Sequence, residues 1–405
     1  MNNFRQIIKY FPGALLCLIF AGIQPAQAID FKNLHNLVGP DDAVIISDPN
    51  NRICFSHNTS ALLTPASTLK LLTALTAFHF LGEDYRFRTE FYLDEQSNLK
   101  IKGFGDPLLI SEVIAEISEA LFDLLKDTTH SVSNIIVDSS YFDPAVLIPG
   151  VTDSIEPYDA PNGALCVNFN TVNFQTIQGR YTSGEPQTPL LPMVIYRVDK
   201  TGLTRGRITL SHQKDELVFY AGRLFKHFFE KSGVNIDGKV LIGRVRTGDK
   251  RILLYRSPFC LAQVVEKMMA YSNNFVANQI LLVSGIEHSG PPGTLQKGVM
   301  AAREYARNEL TMDGLQITEG SGISRKNRIT AKTLHQVLLK FKPHYRLLRK
   351  DGADFYKTGT LKDISTRVGF IGNNEATRYA YVILCNTPGR SAKTVRNKLL
   401  EILGR

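Results

Sequence analysis

The sequence predicts an α/β (α+β) fold in which one sheet draws strands from both ends of the chain, with a β-rich unit inserted between them. Three observations predict it. Strand signals cluster near residue 50 and again from residue 355 onward. Helical periodicity fills the stretch from about 258 to 341. Between about 86 and 250, short β-like runs dominate. The chain has 405 residues, of which 43% are hydrophobic and 21% charged, so it reads as a folded protein of more than one unit.

Residues 1–28 read as a secretory signal peptide. Arg5 and Lys9 form a basic start, residues 13–23 are apolar, and Ala26-Gln27-Ala28 gives a small-x-small cleavage pattern. Cys17 follows Leu16, which is too large for a typical lipoprotein cleavage site. Export to the periplasm is therefore expected. Losing two cations lowers the formal net charge from +9 to +7. A basic exported protein is drawn to anionic surfaces. No dense Lys/Arg cluster points to nucleic acid. No 18-residue apolar run follows residue 30, so membrane contact is expected to be peripheral at most.

Cys54, Cys166, Cys260 and Cys385 remain after cleavage. Each has apolar neighbours, and their spacing fits no metal or disulfide framework, so buried free thiols are expected. The nine histidines show no HExxH pairing, and no metal or cofactor is expected.

The first mature segment carries a hairpin signal. Residues 43–46 and 52–55 flank the turn formers Asp48-Pro49-Asn50-Asn51. After Pro65, the apolar residues Leu69, Leu71, Leu72, Leu75, Phe78 and Leu81 recur at helical spacing, and Gly82 is a plausible stop. The middle holds strand signals at Arg86–Leu93 and 239–245, and helical runs near 113–125 and 224–231. Further helices are expected at 261–270, 275–282, Leu295–Leu310 and 331–341. Residues 355–361, 366–371 and 379–385 read as strands, and 391–403 as a core-packing helix. The expected division is 29–85 with 251–405 as one discontinuous catalytic domain, and 86–250 as the insert.

Three short motifs carry the chemistry. In Ser67-Thr68-Leu69-Lys70, residues three apart share a helix face, which brings the Lys70 amine to the Ser67 hydroxyl. Serine needs a base to take its proton, and lysine serves once burial or a neighbouring cation lowers its pKa. Ser97–Lys100 and Ser211–Lys214 repeat the spacing, but in polar connections where nothing is expected to desolvate a lysine. Ser272-Asn273-Asn274 lies between two helical runs. Its hydroxyl can relay a proton and its amide can hold a carbonyl. A plain helix cap explains it as readily, and Ser56-His57-Asn58 also fits the spacing. Lys357-Thr358-Gly359-Thr360 lies on an expected strand. Lys357, Thr358 and Thr360 suit a carboxylate, and Gly359 would let a substrate backbone approach that edge.

The order SxxK, SxN, KTG is the signature of penicillin-binding proteins and serine β-lactamases. With Gly105-Asp106-Pro107, Tyr158, Asn168 and Gly320-Ser321-Gly322-Ile323-Ser324-Arg325, the chain resembles class C low-molecular-mass penicillin-binding proteins, the D-alanyl-D-alanine carboxypeptidase/endopeptidases. That resemblance implies a transpeptidase/β-lactamase-like domain, an antiparallel sheet flanked by helices, with a large inserted domain. It also implies an acyl-enzyme on Ser67 with Lys70 as base and Ser272 as proton relay. Asn274 would hold the acyl-side amide, and Lys357, Thr358 and Thr360 the terminal carboxylate. The Ser67 and Thr360 N–H groups would form the oxyanion hole. Peptidoglycan stem peptides and β-lactam antibiotics are the implied partners. A serine β-lactamase is the nearest alternative, with Glu266 as the one weak candidate for its deacylating base. A wall-binding or β-lactam-sensing module is another. A Ser-His-Asp hydrolase lacks a GxSxG elbow.

Overall fold

The computed structural model describes residues 30–126, 131–310 and 315–404. The expected signal peptide, with Cys17, lies outside the described residues. Strands β1 (Asp42–Ser47) and β2 (Ile53–His57) form the expected hairpin. Helix α1 (Lys70–Leu81) is apolar all round and buries every residue from Lys70 to Ala77, the pattern of a core helix. It stops at Gly82, whose φ of +84° suits glycine.

The middle follows as β3 (Arg86–Leu93), β4 (Leu99–Gly103), α2 (Ser111–Leu125), β5 (Ile135–Asp138), β6 (Thr171–Ile177), β7 (Arg180–Ser183), α3 (Pro192–Asp199), β8 (Arg205–Thr209), α4 (Lys214–Lys231), β9 (Val240–Ile242) and β10 (Lys250–Cys260). Helix α4 starts at Lys214, not near 224. Its polar first turn hides the apolar period, but Asp215 and Glu216 there suit a helix N-terminus. Helix α3 was not expected. The chain then forms α5 (Leu261–Tyr271), α6 (Asn274–Ser289), α7 (Leu295–Leu310), α8 (Ala331–Lys340), β11 (Arg349–Asp351), β12 (Asp354–Leu361), β13 (Ile364–Ile371), β14 (Tyr379–Cys385) and α9 (Ala392–Ile402).

One six-stranded sheet, ordered β11-β12-β13-β14-β1-β2, is antiparallel throughout and pairs the two chain ends, with Asp42 opposite Cys385. Successive side chains alternate between its faces. Ala43, Ile45, Val382 and Leu384 pack on the helical core with α1, α5, α6, α7 and α8. Val44, Ile46, Tyr381 and Ile383 pack on Val395 and Leu399 of α9. That burial makes α9 the core helix the sequence suggested. No described helix is long and apolar enough to cross a membrane.

The middle builds a five-stranded sheet, β10-β3-β4-β5-β9, and a three-stranded one, β7-β6-β8. β4, β5 and β9 are mutually parallel, with α2 in the first crossover and α4 in the second. β10 pairs with β3 from Lys250 opposite Leu93 to Cys260 opposite Arg86. The sequence division at 250 put this strand with the outer segments. Its hydrogen bonds join it to the insert's sheet. In the other direction, Phe142, Ile148, Ala164 and Cys166 leave the middle to pack in the helical core.

The described cysteines are all free, but only Cys166 and Cys385 are buried. Cys54 is exposed beside the equally exposed Ile53 on β2, and Cys260 is half-buried where β10 ends and α5 begins.

Candidate active site

Ser67 sits in a single 3₁₀ turn, Ala66–Leu69, that runs into α1, so Lys70 is the first residue of the α-helix. Ala66 holds φ +48°, a left-handed conformation that a residue with a β-carbon adopts only under restraint. The restraints are visible. The Thr68 and Thr366 hydroxyls both donate to the Pro65 carbonyl, at 2.7 and 2.8 Å. A β-carbon on Gly359 would lie 2.7 Å from the Ser67 nitrogen and 2.4 Å from Thr366 Oγ1. The sequence reading assigned Gly359 to substrate approach. What fills the space above it is the nucleophile's own turn.

Lys70 is fully buried. Its Nζ lies 2.9 Å from Ser67 Oγ, 2.8 Å from Asn274 Oδ1 and 2.7 Å from the Ser321 carbonyl. Burial, reinforced by the Lys357 cation and opposed by the Glu319 carboxylate, holds this amine well below its ordinary pKa. The neutral amine has two N–H groups and one lone pair. Asn274 Oδ1 and the Ser321 carbonyl are acceptors, so they take the two N–H groups. The lone pair is left for the Ser67 hydroxyl.

Ser272 closes α5 in the left-handed region, at φ 54° and ψ 34°. Asn273 caps α6, accepting from the Val276 N–H at 3.1 Å. The motif is thus both a cap and a site: its middle residue caps, and its outer two bond Lys357 and Lys70. Lys357 projects from β12, almost fully buried, and donates to Ser272 Oγ at 2.7 Å. Burial, and secondarily Arg349, bring its pKa down to about 7. Thr358 is half-buried and Thr360 exposed, on the alternate face of the strand from Lys357. β11 pairs with β12 only over Asp354–Tyr356, and no described strand covers that edge from Lys357 to Leu361. An extended peptide can add there.

The other two SxxK matches do not form such a pair, though not for the expected reason. Lys100 is buried, and is paired with Asp94 at 3.3 Å and Asp249 at 2.9 Å. Lys214 is half-buried, with its Nζ on the Pro144 carbonyl. Burial is available at both places. What is missing is the serine: Ser97 lies in a turn at φ 57°, and Ser211 Oγ donates to Glu216 at 2.5 Å. Ser56-His57-Asn58 is structural, its Asn58 amide bonding the Pro40 and Asp42 carbonyls.

The sequence reading missed Glu319. It is fully buried beside the site, immediately before the Gly320–Arg325 stretch noted only for its likeness to a family. An acid followed within a few residues by serine, glycine and asparagine donors is the local signal it leaves.

The D-Ala-D-Ala carboxypeptidase 3 (S13) family matches residues 35–196 and 198–349, which takes in Ser67, Lys70, Ser272, Asn274 and Glu319 and stops before Lys357. A D-alanyl-D-alanine carboxypeptidase of Actinomadura sp. (strain R39) is 27% identical over 342 residues, 73% of this chain and 63% of that protein. A penicillin-sensitive carboxypeptidase A of Dictyostelium discoideum is 23% identical over 70% of this chain and 65% of its own length. The chain therefore spans less than two thirds of these two relatives. The crystal structure of penicillin-binding protein 4 (dacB) from Haemophilus influenzae superposes with a TM-score of 0.73 at 20% identity, covering 92% of this chain and 98% of that one. Its likeness carries the fold. With most of its length matched, the chain belongs to the D-Ala-D-Ala carboxypeptidase 3 (S13) family of peptidases.

Proposed function

We propose that this protein is a serine D-alanyl-D-alanine carboxypeptidase, with endopeptidase action on cross-linked peptides, that cuts peptidoglycan stem peptides through an acyl-enzyme on Ser67. The observation that carries the reading is the buried Lys70 amine, 2.9 Å from the Ser67 hydroxyl and held by burial well below its ordinary pKa. As Ser67 Oγ bonds to the D-Ala carbonyl carbon, its proton passes to Lys70. The Ser67 and Thr360 N–H groups receive the oxyanion. Ser272, held by the Lys357 amine, relays that proton from Lys70 to the departing amine as the C–N bond breaks, which leaves Lys70 neutral and Lys357 charged. The Asn274 oxygen is taken by Lys70 and one N–H reaches the Tyr158 carbonyl at 3.5 Å, so its other N–H serves the acyl-side carbonyl. Lys357, Thr358 and Thr360 hold the terminal carboxylate. Water then releases the shortened peptide.

β-Lactams acylate Ser67 for the same reason. The basic signal-like start supports export to the periplasm, where the substrate lies. A β-lactamase needs a base for fast deacylation. Glu266 sits on the exposed side of α5, and Glu319 has its oxygens filled by donors, which favours the peptidase. Among the described residues, a Ser-His reading finds one buried pair, Ser47 and His335 at 2.8 Å, closed off in the core. Intact SxxK, SxN and KTG contacts favour an enzyme over a wall-binding or sensing module.

The test is mass spectrometry of penicillin-treated protein, with D-alanine release from a muropeptide pentapeptide alongside. A lasting adduct on the Ser67 peptide with D-alanine release is expected. Rapid β-lactam turnover points to the lactamase, binding without release to the sensing module, and an adduct on another serine defeats the proposal.

A further inference from the structure

Glu319 accepts from six donors. Oε1 takes the Gly322 N–H at 2.7 Å, Asn327 Nδ2 at 2.6 Å and the Ser324 N–H at 3.3 Å. Oε2 takes the Ser321 N–H and the Ser321 hydroxyl, both at 2.6 Å, and Asn278 Nδ2 at 3.1 Å. All six are N–H or O–H groups, the surroundings that suit a carboxylate. Its loop is tied to both central helices. The Thr73 hydroxyl of α1 donates to the Gly320 carbonyl at 2.6 Å, and the Gly320 N–H donates to Asn278 Oδ1 of α6 at 2.7 Å.

The loop delivers two things to the nucleophile. The Ser321 carbonyl takes one N–H of Lys70, and the backbone of Gly322 lies against Ala66 and Ser67. Ser321 is also the residue whose N–H and hydroxyl bind Glu319, so the carboxylate stands one peptide unit behind the acceptor that holds the base.

When Lys70 takes the Ser67 proton it becomes an ammonium with no exposure to water. Such a cation is costly unless an anion faces it. The groups around it are Ser67 from its own turn, Asn274 from α6, Ser272 from the α5–α6 corner, Lys357 from β12 with Arg349 of β11 behind it, and Ser321 and Glu319 from the loop. Among these, the one anion is Glu319, while Lys357 and Arg349 repel.

We propose that Glu319 is a positioning residue with a charge role: it builds the loop that aims Lys70, and its buried carboxylate compensates the ammonium formed as Ser67 is acylated. This rests on the acyl-enzyme reading above. The direction in which the carboxylate moves the Lys70 proton affinity, upward, agrees with it.

The experiment is the second-order acylation rate with a fluorescent penicillin across pH, with thermal melting for each variant. In the unmutated chain, the acid limb reports loss of the Lys70 proton. In Glu319→Gln the base is weaker, so that limb moves to lower pH by about one unit or more and the plateau rate falls. Glu319→Asp draws the charge back by one methylene, and its limb moves the same way by less. Ser321→Ala loses an anchor but keeps the charge; its rate falls with the limb unmoved. A limb in Glu319→Gln that stays at the unmutated pH overturns the charge role, whatever the rate. If that variant does not fold, an unmoved limb in Glu319→Asp overturns it instead. Absence of any adduct in the unmutated chain defeats the acyl-enzyme reading itself, a different failure from an adduct with an unmoved limb.

Discussion

Gly322 and Ala66 approach so closely that a β-carbon on the glycine would lie 1.9 Å from the alanine carbonyl oxygen. Gly322 also holds φ +84°. A side chain there is excluded twice, by the backbone it would adopt and by the turn it would strike.

Gly322→Ala should therefore displace the nucleophile. A shift near 1 Å at a reacting group costs about 100-fold in rate. Acylation of Ser67 should fall by roughly that factor, while the fold survives with a loss of about 1–3 kcal/mol. Stopped-flow acylation and urea unfolding measure the two effects. A variant with unchanged acylation would mean that the contact does not aim Ser67.

Ser272→Gly separates the chemistry of the second motif from its cap. Glycine suits φ 54°, so melting should be unchanged or slightly raised. The hydroxyl that serves the departing amine is gone, so D-alanine release should drop by about 10²–10⁴-fold. Activity within a few fold of the unmutated chain would remove Ser272 from the proton path.

The depressed Lys357 pKa, about 7, gives a pH signature with a definite sign. Only the protonated amine attracts a substrate carboxylate. In the free enzyme, kcat/KM for a peptide ending in a carboxylate should fall as pH rises through about 7. The same peptide as its C-terminal amide should not show that fall. Fold stability runs the other way: between about 7 and the ordinary lysine pKa the unfolded chain holds a proton that the folded one lacks, so this group adds stability as pH rises. Parallel loss of activity and stability over that window would refute the assignment.

Lys100→Met tests the buried ion group in the five-stranded sheet. The substitution keeps volume but leaves Asp94 and Asp249 facing each other without their cation. Breaking one side of a buried pair costs about 3–5 kcal/mol. Denaturant unfolding should show that loss, and the folded fraction should acylate at the unmutated rate, since this group touches none of the site residues. A loss under 1 kcal/mol would show the three groups to be solvated.

The sequence by itself determined the parts of this protein that depend on short-range pattern. Strand-like runs on either side of Asp48-Pro49-Asn50-Asn51 gave the hairpin at β1 and β2, similar runs gave the three closing strands, and period 3.6 with Gly82 gave α1. The motif residues come from three distant segments and hydrogen-bond in two sets, Ser67 and Asn274 on Lys70, and Ser272 on Lys357. Their order and local setting were enough to group them.

Only the tertiary structure decided what depends on which distant surface a residue meets. Residues 251–260 fall with the outer segments in the sequence, and only pairing with β3 shows that they extend the sheet of the middle segment. Lys100 looks solvated until Asp249 arrives across the sheet. Gly359 looks open to substrate until the Ala66 turn fills the space above it. Glu319 is one acid among many until its loop closes over Lys70 and gathers six donors around it. Periodicity records which side of an element is buried; the identity of the neighbour on that side is fixed only when residues far apart in the chain are brought into contact.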